Sequence, residues 1–160
     1  MNEVQDDEHQ GCDCKCSYIY LACQLVQLLF ERAQMLQRRK EIIQKYDEAF
    51  RKIGIETLPH YTDEYTSSGH LYLTRVPNIS YEQRQEIIEK MAEKEIACNV
   101  HYKPLPMHTA YKNLGFDIKN YPNAYKRFVN EITLPLHTCL SDEQVDYVIE
   151  SYCNIVREYL

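Results

Sequence analysis

The sequence predicts an α+β fold, in which helices cover a small antiparallel or mixed sheet and a long helix lies near the N-terminus. Paired apolar residues recur seven positions apart over residues 21–53, which is the spacing of one amphipathic helix. Short runs rich in Val, Ile, Leu, Thr and Tyr follow, and Ser-x-x-Gln capping boxes begin at Ser80 and Ser141. The length of 160 residues suits a single domain.

The chain is expected to begin with an irregular tail over residues 1–20, which are acidic, rich in cysteine and broken by Gly11. The folded domain is expected over residues 21–160. Its first helix ends at Gly54, because glycine commonly follows the last helical turn. The inner face of that helix is expected to carry the paired rows Leu28 and Leu29, Met35 and Leu36, Ile42 and Ile43, and Ala49 and Phe50.

Four strands are predicted after the long helix, over residues 55–58, 70–76, 96–102 and 132–136. Residues 96–102 alternate in polarity, which places Ile96, Cys98, Val100 and Tyr102 on one face and His101 on the more polar face.

Helices are predicted between and after these strands. Ser80 and Ser141 can each cap a helix together with the glutamine three residues later, Gln83 and Gln144. Two shorter helices are expected over residues 109–114 and 123–129, separated by Gly115 and Pro122.

Composition excludes several classes of function. The net charge of −6 and pI near 5.5 argue against a protein that binds duplex nucleic acid through a basic face. The longest nearly apolar run, residues 18–30, is too short for a membrane-spanning helix. An odd count of seven cysteines and an acidic start without a leader predict a reduced, cytoplasmic protein.

The sequence gives little support for a self-contained active site or for a metal site. The sequence holds no GxSxG, HExxH, GxxxxGK or GxGxxG motif, so no self-contained active site is predicted. Cys12, Cys14 and Cys16 form a CxCxC cluster, but this is poor spacing for zinc, and reduced thiols in a loose tail are the better interpretation. A metal or redox function would depend on that cluster alone.

The strongest candidate site is the stretch Asn-Val-His-Tyr-Lys-Pro-Leu at residues 99–105. It places the imidazole of His101, the phenol of Tyr102 and the ammonium of Lys103 where a predicted strand enters a proline-stiffened loop, a common position for ligand contacts. The alternative is that His101 only satisfies a local hydrogen bond.

This stretch and several others resemble the carboxyl-terminal domain of the DegT/DnrJ/StrS-type nucleotide-sugar aminotransferases. The resemblance covers residues 31–160. Besides 97–105, its ordered blocks are Arg-Arg-Lys-Glu-Ile at 38–42, His-Leu-Tyr-Leu at 70–73, Tyr-Lys-Asn-Leu-Gly at 111–115, Ile-Thr-Leu-Pro-Leu-His at 132–137 and Leu-Ser-Asp-Glu-Gln-Val at 140–145.

The resemblance implies the small domain of a fold-type-I transaminase that uses pyridoxal phosphate to move an amino group, typically from glutamate, onto a nucleotide-linked keto sugar. The lysine, acid and stacking residue that hold the cofactor in that family belong to an upstream domain. No catalytic, cofactor or metal residue is therefore carried over to this chain, and the 160 residues are expected to be inactive alone.

The resemblance also has two local departures. Cys16-Ser17-Tyr18 stands where the family has Asn-Tyr-Arg, and Pro106 stands where the family commonly has a second histidine, with His108 two residues later.

Residue by residue, the resemblance implies that His101 and Tyr102 are hydrogen-bond partners of the nucleotide sugar and that Lys103 is a phosphate partner. It also implies a homo-oligomer formed through the face that a large domain would cover. The alternative function is a non-catalytic, self-associating interaction module, with no nucleic-acid or membrane partner.

Overall fold

The computed structural model describes the backbone of residues 13–160 and the side chains from Tyr18 onward. Five helices and three strands lie in this range. In chain order they are α1 (Asp13–Arg51), β1 (Glu56–Thr57), β2 (Tyr72–Arg75), α2 (Tyr81–Glu93), α3 (Thr109–Asn113), α4 (Pro122–Val129), β3 (Glu131–Leu134) and α5 (Asp142–Val156). Two short 3-10 turns cover Leu105–Met107 and Ile118–Asn120. The architecture is α+β, as predicted.

Helix α1 begins at Asp13 and not near Leu21, so the expectation of an irregular tail is wrong for residues 13–20. The physical reason is that neither glycine nor proline interrupts the sequence between Gly11 and Gly54. Residues 1–12, and the side chains of Cys14 and Cys16, lie outside the described part, so the prediction of free tail thiols is untested.

The chain divides into two compact units, residues 1–37 and residues 38–160. In the described part of the first unit, the apolar side chains are exposed, except that of Leu36, which is half-buried. Leu28 and Leu29, which were expected to face a core, are 61% and 64% exposed. That prediction is wrong, because a periodic apolar row is buried only where another element packs on it.

The second unit contains the sheet, in the order β1-β2-β3 with both pairs antiparallel. Tyr72 pairs with Leu134, and Arg75 pairs with Glu131 on one side and Glu56 on the other. Because side chains alternate between faces, Tyr72, Thr74, Ile132 and Leu134 share one face. Leu73, Arg75, Glu131 and Thr133 share the other.

The first of these faces packs against α1, α2 and α5 to form the core. Four aromatic rings lie at its centre, with Phe50 in contact with Tyr46, Tyr72 and Tyr152 at ring-centroid distances of 5.4, 6.1 and 5.2 Å. Ile42, Ile43, Ile87, Met91 and Val145 surround them and are at most 1% exposed. The second face of the sheet therefore remains for other uses.

Both predicted capping boxes are confirmed. The side chain of Ser80 accepts from the backbone N–H of Gln83, and that of Ser141 accepts from the backbone N–H of Gln144. In each case the glutamine side chain accepts from the serine backbone N–H. Each box satisfies two of the donors that a helix N-terminus leaves free.

The predicted strand over residues 96–102 is wrong. Only Asn99 pairs with the sheet, through an isolated bridge to Thr133. The backbone N–H of Val100 donates to the Asn99 side chain, and that of His101 donates to the Glu131 carboxylate. Side chains thus take the donors that a strand would use for its ladder.

Candidate functional site

The second face of the sheet forms the floor of a concavity of about 270 Å³. The segment that follows Asn99 borders it on one side and α4 on the other. Its lining, which is mostly apolar, consists of Leu58, Leu73, Arg75, His101, Tyr102, Pro104, Ala124, Arg127, Phe128 and Glu131. Of the three residues predicted as substrate contacts, His101 and Tyr102 therefore line this concavity.

A chain of three hydrogen-bonded groups fixes His101 in this concavity. The Thr133 hydroxyl donates to Oε1 of Glu131 at 2.5 Å. His101 Nδ1 lies 2.9 Å from the same hydroxyl oxygen, and the His101 backbone N–H donates to Oε2 of Glu131 at 2.9 Å. Glu131 and Thr133 are each 5% exposed, so the His101 ring and backbone are both held by buried groups of β3.

This chain of bonds determines which nitrogen of His101 carries a proton. A hydroxyl has one hydrogen, and Thr133 donates its hydrogen to the side-chain oxygen of Glu131. Thr133 can then only accept from Nδ1, so Nδ1 carries the hydrogen of this bond, and in the tautomer with a single N–H the lone pair lies on Nε2. Nε2 has no partner among the described residues, so His101 both makes a local hydrogen bond and keeps an acceptor for a ligand.

Glu131 is an unusual residue for the floor of a small sheet. Burial raises the pKa of its carboxyl, while the hydrogen bonds from Thr133 and the His101 backbone oppose that rise. The charge of Arg84 also opposes it. Arg84 is 1% exposed, and its guanidinium lies between the rings of Tyr81 and Phe128, 4.7 Å from each centroid. A buried cation therefore helps to keep the carboxylate ionised.

Tyr102 and Lys103 are more loosely held than His101. Tyr102 is 72% exposed and meets the His101 ring edge to face at a centroid distance of 4.5 Å; the peptide bond between the two residues is cis. Lys103 is exposed and is not among the residues that line the concavity. Its carbonyl lies 3.3 Å from Nε2 of His108.

A second, polar concavity of about 410 Å³ adjoins the first, since Arg75 and Arg127 line both. Its remaining lining residues are Glu56, Asn123, Lys126 and Asn130. The Arg75 guanidinium lies 3.3 Å from the Glu56 carboxylate. Sequence reasoning missed these residues, because they come from β1, β2 and α4, which only the fold brings together.

The described residues hold no group of three or more His, Cys, Asp or Glu side chains that could bind a metal ion. Burial raises the pKa of the Cys98 thiol to about 12, so it lies far from the range of a reactive thiolate. In the described range, the helices include none long and apolar enough to cross a membrane.

Pyridoxal phosphate, which the resemblance implies for the complete enzymes, does not fit these residues. An imine to the cofactor requires a lysine amine in the site. Of the described residues that line the two concavities, the one lysine is Lys126, which lies in the polar concavity on the exposed side of α4. The acid of the site, Glu131, is already bonded to Thr133 and His101.

Comparisons with known proteins agree with this fold. A family model described as the DegT/DnrJ/EryC1/StrS aminotransferase family matches residues 2–152. The apo structure of the candidate sugar aminotransferase Spr1654 from Streptococcus pneumoniae is 55% identical to the chain with a TM-score of 0.79, and the match covers 84% of this chain and 33% of that one. A PLP form of Spr1654 matches with the same TM-score.

Two further relatives are more distant. Helicobacter pylori PseC, an aminotransferase involved in the biosynthesis of pseudoaminic acid, is 27% identical with a TM-score of 0.70, over 86% of this chain and 36% of its own. The spore coat polysaccharide biosynthesis protein SpsC of Bacillus subtilis is 32% identical over 115 residues, 70% of this chain and 30% of SpsC. The chain spans about a third of the length of these relatives.

Proposed function

Because the chain belongs to the DegT/DnrJ/EryC1/StrS aminotransferase family, we propose that these 160 residues are the substrate-contacting small domain of a pyridoxal-phosphate-dependent sugar aminotransferase. Its substrate is a nucleotide-linked keto sugar, and glutamate is the amino donor. The observation that carries this proposal is the orientation of His101, whose Nε2 acceptor is fixed in an open concavity by Thr133 and Glu131.

The proposal gives each of the three predicted site residues a role. His101 accepts a hydrogen bond at Nε2 from a hydroxyl of the sugar nucleotide. Tyr102, exposed beside it, donates or accepts a second bond through its phenol. Lys103 is a third contact at the edge of the concavity, where its exposed ammonium can reach a ligand that extends beyond the lining residues.

The cofactor belongs, in this proposal, to a large domain outside these 160 residues. When bound there, pyridoxal phosphate supplies the electron sink that makes the Cα–H of the amino acid labile. The small domain binds and orients the sugar nucleotide and does not transaminate alone. An odd number of cysteines supports a cytoplasmic location as part of the same proposal.

Titration of the chain with a UDP-linked keto sugar, followed by NMR chemical shifts, tests the role of His101. We expect shifts at His101, Tyr102 and Thr133, and roughly tenfold weaker binding in His101→Ala, since one hydrogen bond in a ligand site contributes about 1 kcal/mol or more. His137→Ala, at an exposed position outside the concavity, is the matched control. Equal affinity of the two variants would refute the role of His101.

A second candidate function, a self-associating module, is supported by the first unit. Between Tyr18 and Phe30 every large apolar side chain is more than half exposed, including Ile19 at 64%, Leu25 at 54% and Leu29 at 64%. A helix that is apolar on nearly all sides is normally buried by other elements. A second copy of the chain can supply such a surface, which agrees with the homo-oligomer expected from the sequence.

Sedimentation velocity tests this second candidate. We expect the chain to form an oligomer that Leu29→Glu dissociates, because the charge would be buried in the interface. Gln24→Glu adds the same charge to the same helix at a polar position and is expected to leave the oligomer intact. A monomer at all concentrations, or equal effects of both substitutions, would contradict self-association through this helix.

A further inference from the structure

Residues 59–69, which lie between β1 and β2, fold around one buried histidine. His60 is 8% exposed, whereas residues 62–66 of the same segment are exposed to solvent. The His60 ring lies nearly parallel to that of Tyr72, at an interplanar angle of 9° and a centroid distance of 5.7 Å. Connections between strands normally run over the surface, so a buried imidazole in one of them is unusual. His60 is the side chain that anchors this segment to the core.

Hydrogen bonds close the segment on itself at this histidine. The backbone N–H of Ser67 donates to the His60 carbonyl at 2.8 Å, and the Ser67 hydroxyl oxygen lies 3.2 Å from His60 Nδ1. The same hydroxyl oxygen accepts from the backbone N–H of Gly69 at 3.0 Å. Gly69 has a φ of +59°, and a Cβ there would lie 2.9 Å from Cδ1 of Ile43, so the end of the segment packs directly on α1. The His60 ring and the Ser67 hydroxyl are thus central to the contacts that keep the segment closed.

The surroundings of His60 suit a neutral ring and not a charged one. Nδ1 bonds to Ser67, and Nε2 is buried without a hydrogen-bond partner among the described residues. A neutral imidazole has one N–H, whereas the imidazolium has two, and each of them needs an acceptor. The Ser67 hydroxyl can supply one acceptor at most. The second N–H of an imidazolium would therefore stay buried and unpaired, which is costly for a charged group.

The groups around His60 do not supply the missing acceptor. The charged and titratable side chains in or against the segment are Arg39, Lys40, Asp47 and Arg51 of α1, Tyr72 of β2, and Tyr61, Asp63, Glu64 and Tyr65 of the segment itself. Asp47 is the carboxylate whose charge favours protonation of His60. However, its oxygens already accept from the Tyr72 hydroxyl and the Arg51 guanidinium, each at 2.8 Å. Burial lowers the pKa of His60, and the charge of Asp47 offsets part of that shift.

The other charges near the segment do not favour a charged ring either. Arg39 donates to a backbone carbonyl of the segment at 3.4 Å, and the Lys40 ammonium lies 5.3 Å from the centre of an aromatic ring of the segment. Asp63 and Glu64 are exposed, so water and salt screen their charges. A proton on His60 thus adds a positive charge to a segment that already contacts two cations.

We propose that residues 59–69 form a pH-sensitive latch, which stays closed on α1 while the His60 imidazole is neutral and opens when that imidazole gains a proton. In the open arrangement the imidazolium reaches water, which supplies acceptors for both N–H groups. Leu58 directly precedes the latch and lines the concavity that contains His101. Opening therefore also releases one wall of that concavity. The latch acts independently of the substrate and the cofactor of the proposed function.

Hydrogen exchange of backbone amides, followed by NMR, measures the opening of the latch. The probe is the N–H of Ser67, and the reference is the N–H of Val76, which donates to the Asn130 carbonyl outside the latch. After correction for intrinsic exchange rates, protection of Ser67 is expected to fall up to about thirtyfold from about pH 7.5 to about pH 5, since a free imidazole titrates near pH 6.5. Low concentrations of urea are expected to leave this exchange unchanged and to accelerate that of Val76, because a local opening exposes little surface.

Two variants identify the group that titrates. His60→Phe keeps an aromatic ring against Tyr72 but cannot gain a proton, so protection of Ser67 is expected to lose its pH dependence. His70→Phe makes the same change at an exposed position directly after the latch, and is expected to retain that dependence. The Leu58 methyl signals are expected to shift less with pH in His60→Phe than in the wild type. Equal shifts in both would refute the connection between the latch and the concavity.

An NMR titration of the His60 ring in the wild type needs no variant and follows the proton directly. The ring is expected to gain its proton over the same pH range in which Ser67 loses protection. The latch is overturned if the protection of Ser67 does not change with pH, or if the ring gains its proton while Ser67 stays protected. It is also overturned if exchange of Ser67 depends on urea as strongly as that of Val76, since only global unfolding would then expose the segment.

Discussion

Replacement of Thr133 by valine keeps the shape of the side chain but removes its hydroxyl group. That hydroxyl is hydrogen-bonded to both His101 and Glu131. Thr133 is 5% exposed, so no water replaces the lost group without rearrangement. The change removes the 2.5 Å bond to Oε1 of Glu131 and the 2.9 Å bond to Nδ1 of His101. It leaves a carboxylate oxygen, itself on a residue that is 5% exposed, without its partner.

The expected cost of Thr133→Val follows from these two bonds. A hydrogen bond to a charged group contributes about 1.5–3 kcal/mol, and a buried polar group left without a partner costs about 1–3 kcal/mol. Protonation of Glu131 limits the second cost, because burial already raises the pKa of that carboxyl. We therefore expect a loss of about 2–4 kcal/mol in the free energy of unfolding, relative to about 0.5 kcal/mol or less for Thr109→Val at an exposed position.

Urea unfolding measures this loss, and ¹⁵N NMR of the imidazole measures its consequence for His101. In the wild type, at alkaline pH where the ring is neutral, the proton is expected on Nδ1. In Thr133→Val, Nδ1 has no acceptor and the two tautomers become mixed. An unfolding free energy within 0.5 kcal/mol of the wild type, together with an unchanged tautomer, would refute the account of how His101 is held.

Three further predictions concern the stability of the second unit. Burial lowers the pKa of His60, which is 8% exposed, so the unfolded chain binds a proton at this imidazole more readily than the folded chain. The contribution of His60 to the free energy of unfolding should therefore be fully present above the unfolded pKa of about 6.5 and should fall as pH decreases below that value. His60→Phe keeps a ring against Tyr72 and should reduce that pH dependence in urea titrations, and an equal slope in both proteins would contradict it. Phe50→Ala should cost about 3–5 kcal/mol by calorimetry because it empties the aromatic centre, whereas Leu114→Ala at a 73% exposed position should cost little; similar costs would show that the core is wrongly located. Ser141→Ala should cost about 1 kcal/mol through loss of the α5 cap, and no change would show that the cap is dispensable.

The parts of the fold that the sequence predicted well have local causes. The starts of α2 and α5 follow from capping boxes, in which every partner lies within three residues. The predicted strands near β1, β2 and β3 have the composition of half-buried strands, and all three form. Even there the extents are shorter than predicted, since pairing with a neighbour, and not composition, decides where a strand ends.

The errors have long-range causes. Residues 96–102 alternate as a strand should, yet the carboxylate of Glu131 takes the backbone donor of His101 from 30 positions away. The apolar rows at Leu28 and Leu29 have helical spacing, but spacing alone does not supply the surface that buries them. In both cases the local pattern was present, but contacts that the pattern does not show decided the outcome.

The candidate site was predicted in part. His101 and Tyr102 were identified from their motif, and both line the concavity, while Lys103 lies outside its lining. Thr133 could have been noticed, because it is a polar residue within the strand predicted over residues 132–136, and Glu131 directly precedes that predicted strand. Arg75, Lys126 and Arg127 could not, because the sequence does not show that β2 and α4 line the same concavity.

In the proposed function, these residues contact the substrate of a sugar aminotransferase and do not hold its cofactor. The direct test is incubation of the 160-residue chain with pyridoxal phosphate and glutamate, followed by the absorption spectrum and by mass spectrometry after borohydride reduction. We predict no saturable imine band and no stoichiometric pyridoxyl adduct on any one lysine. A one-to-one adduct at a single lysine, or amino transfer by the chain alone, would contradict the claim.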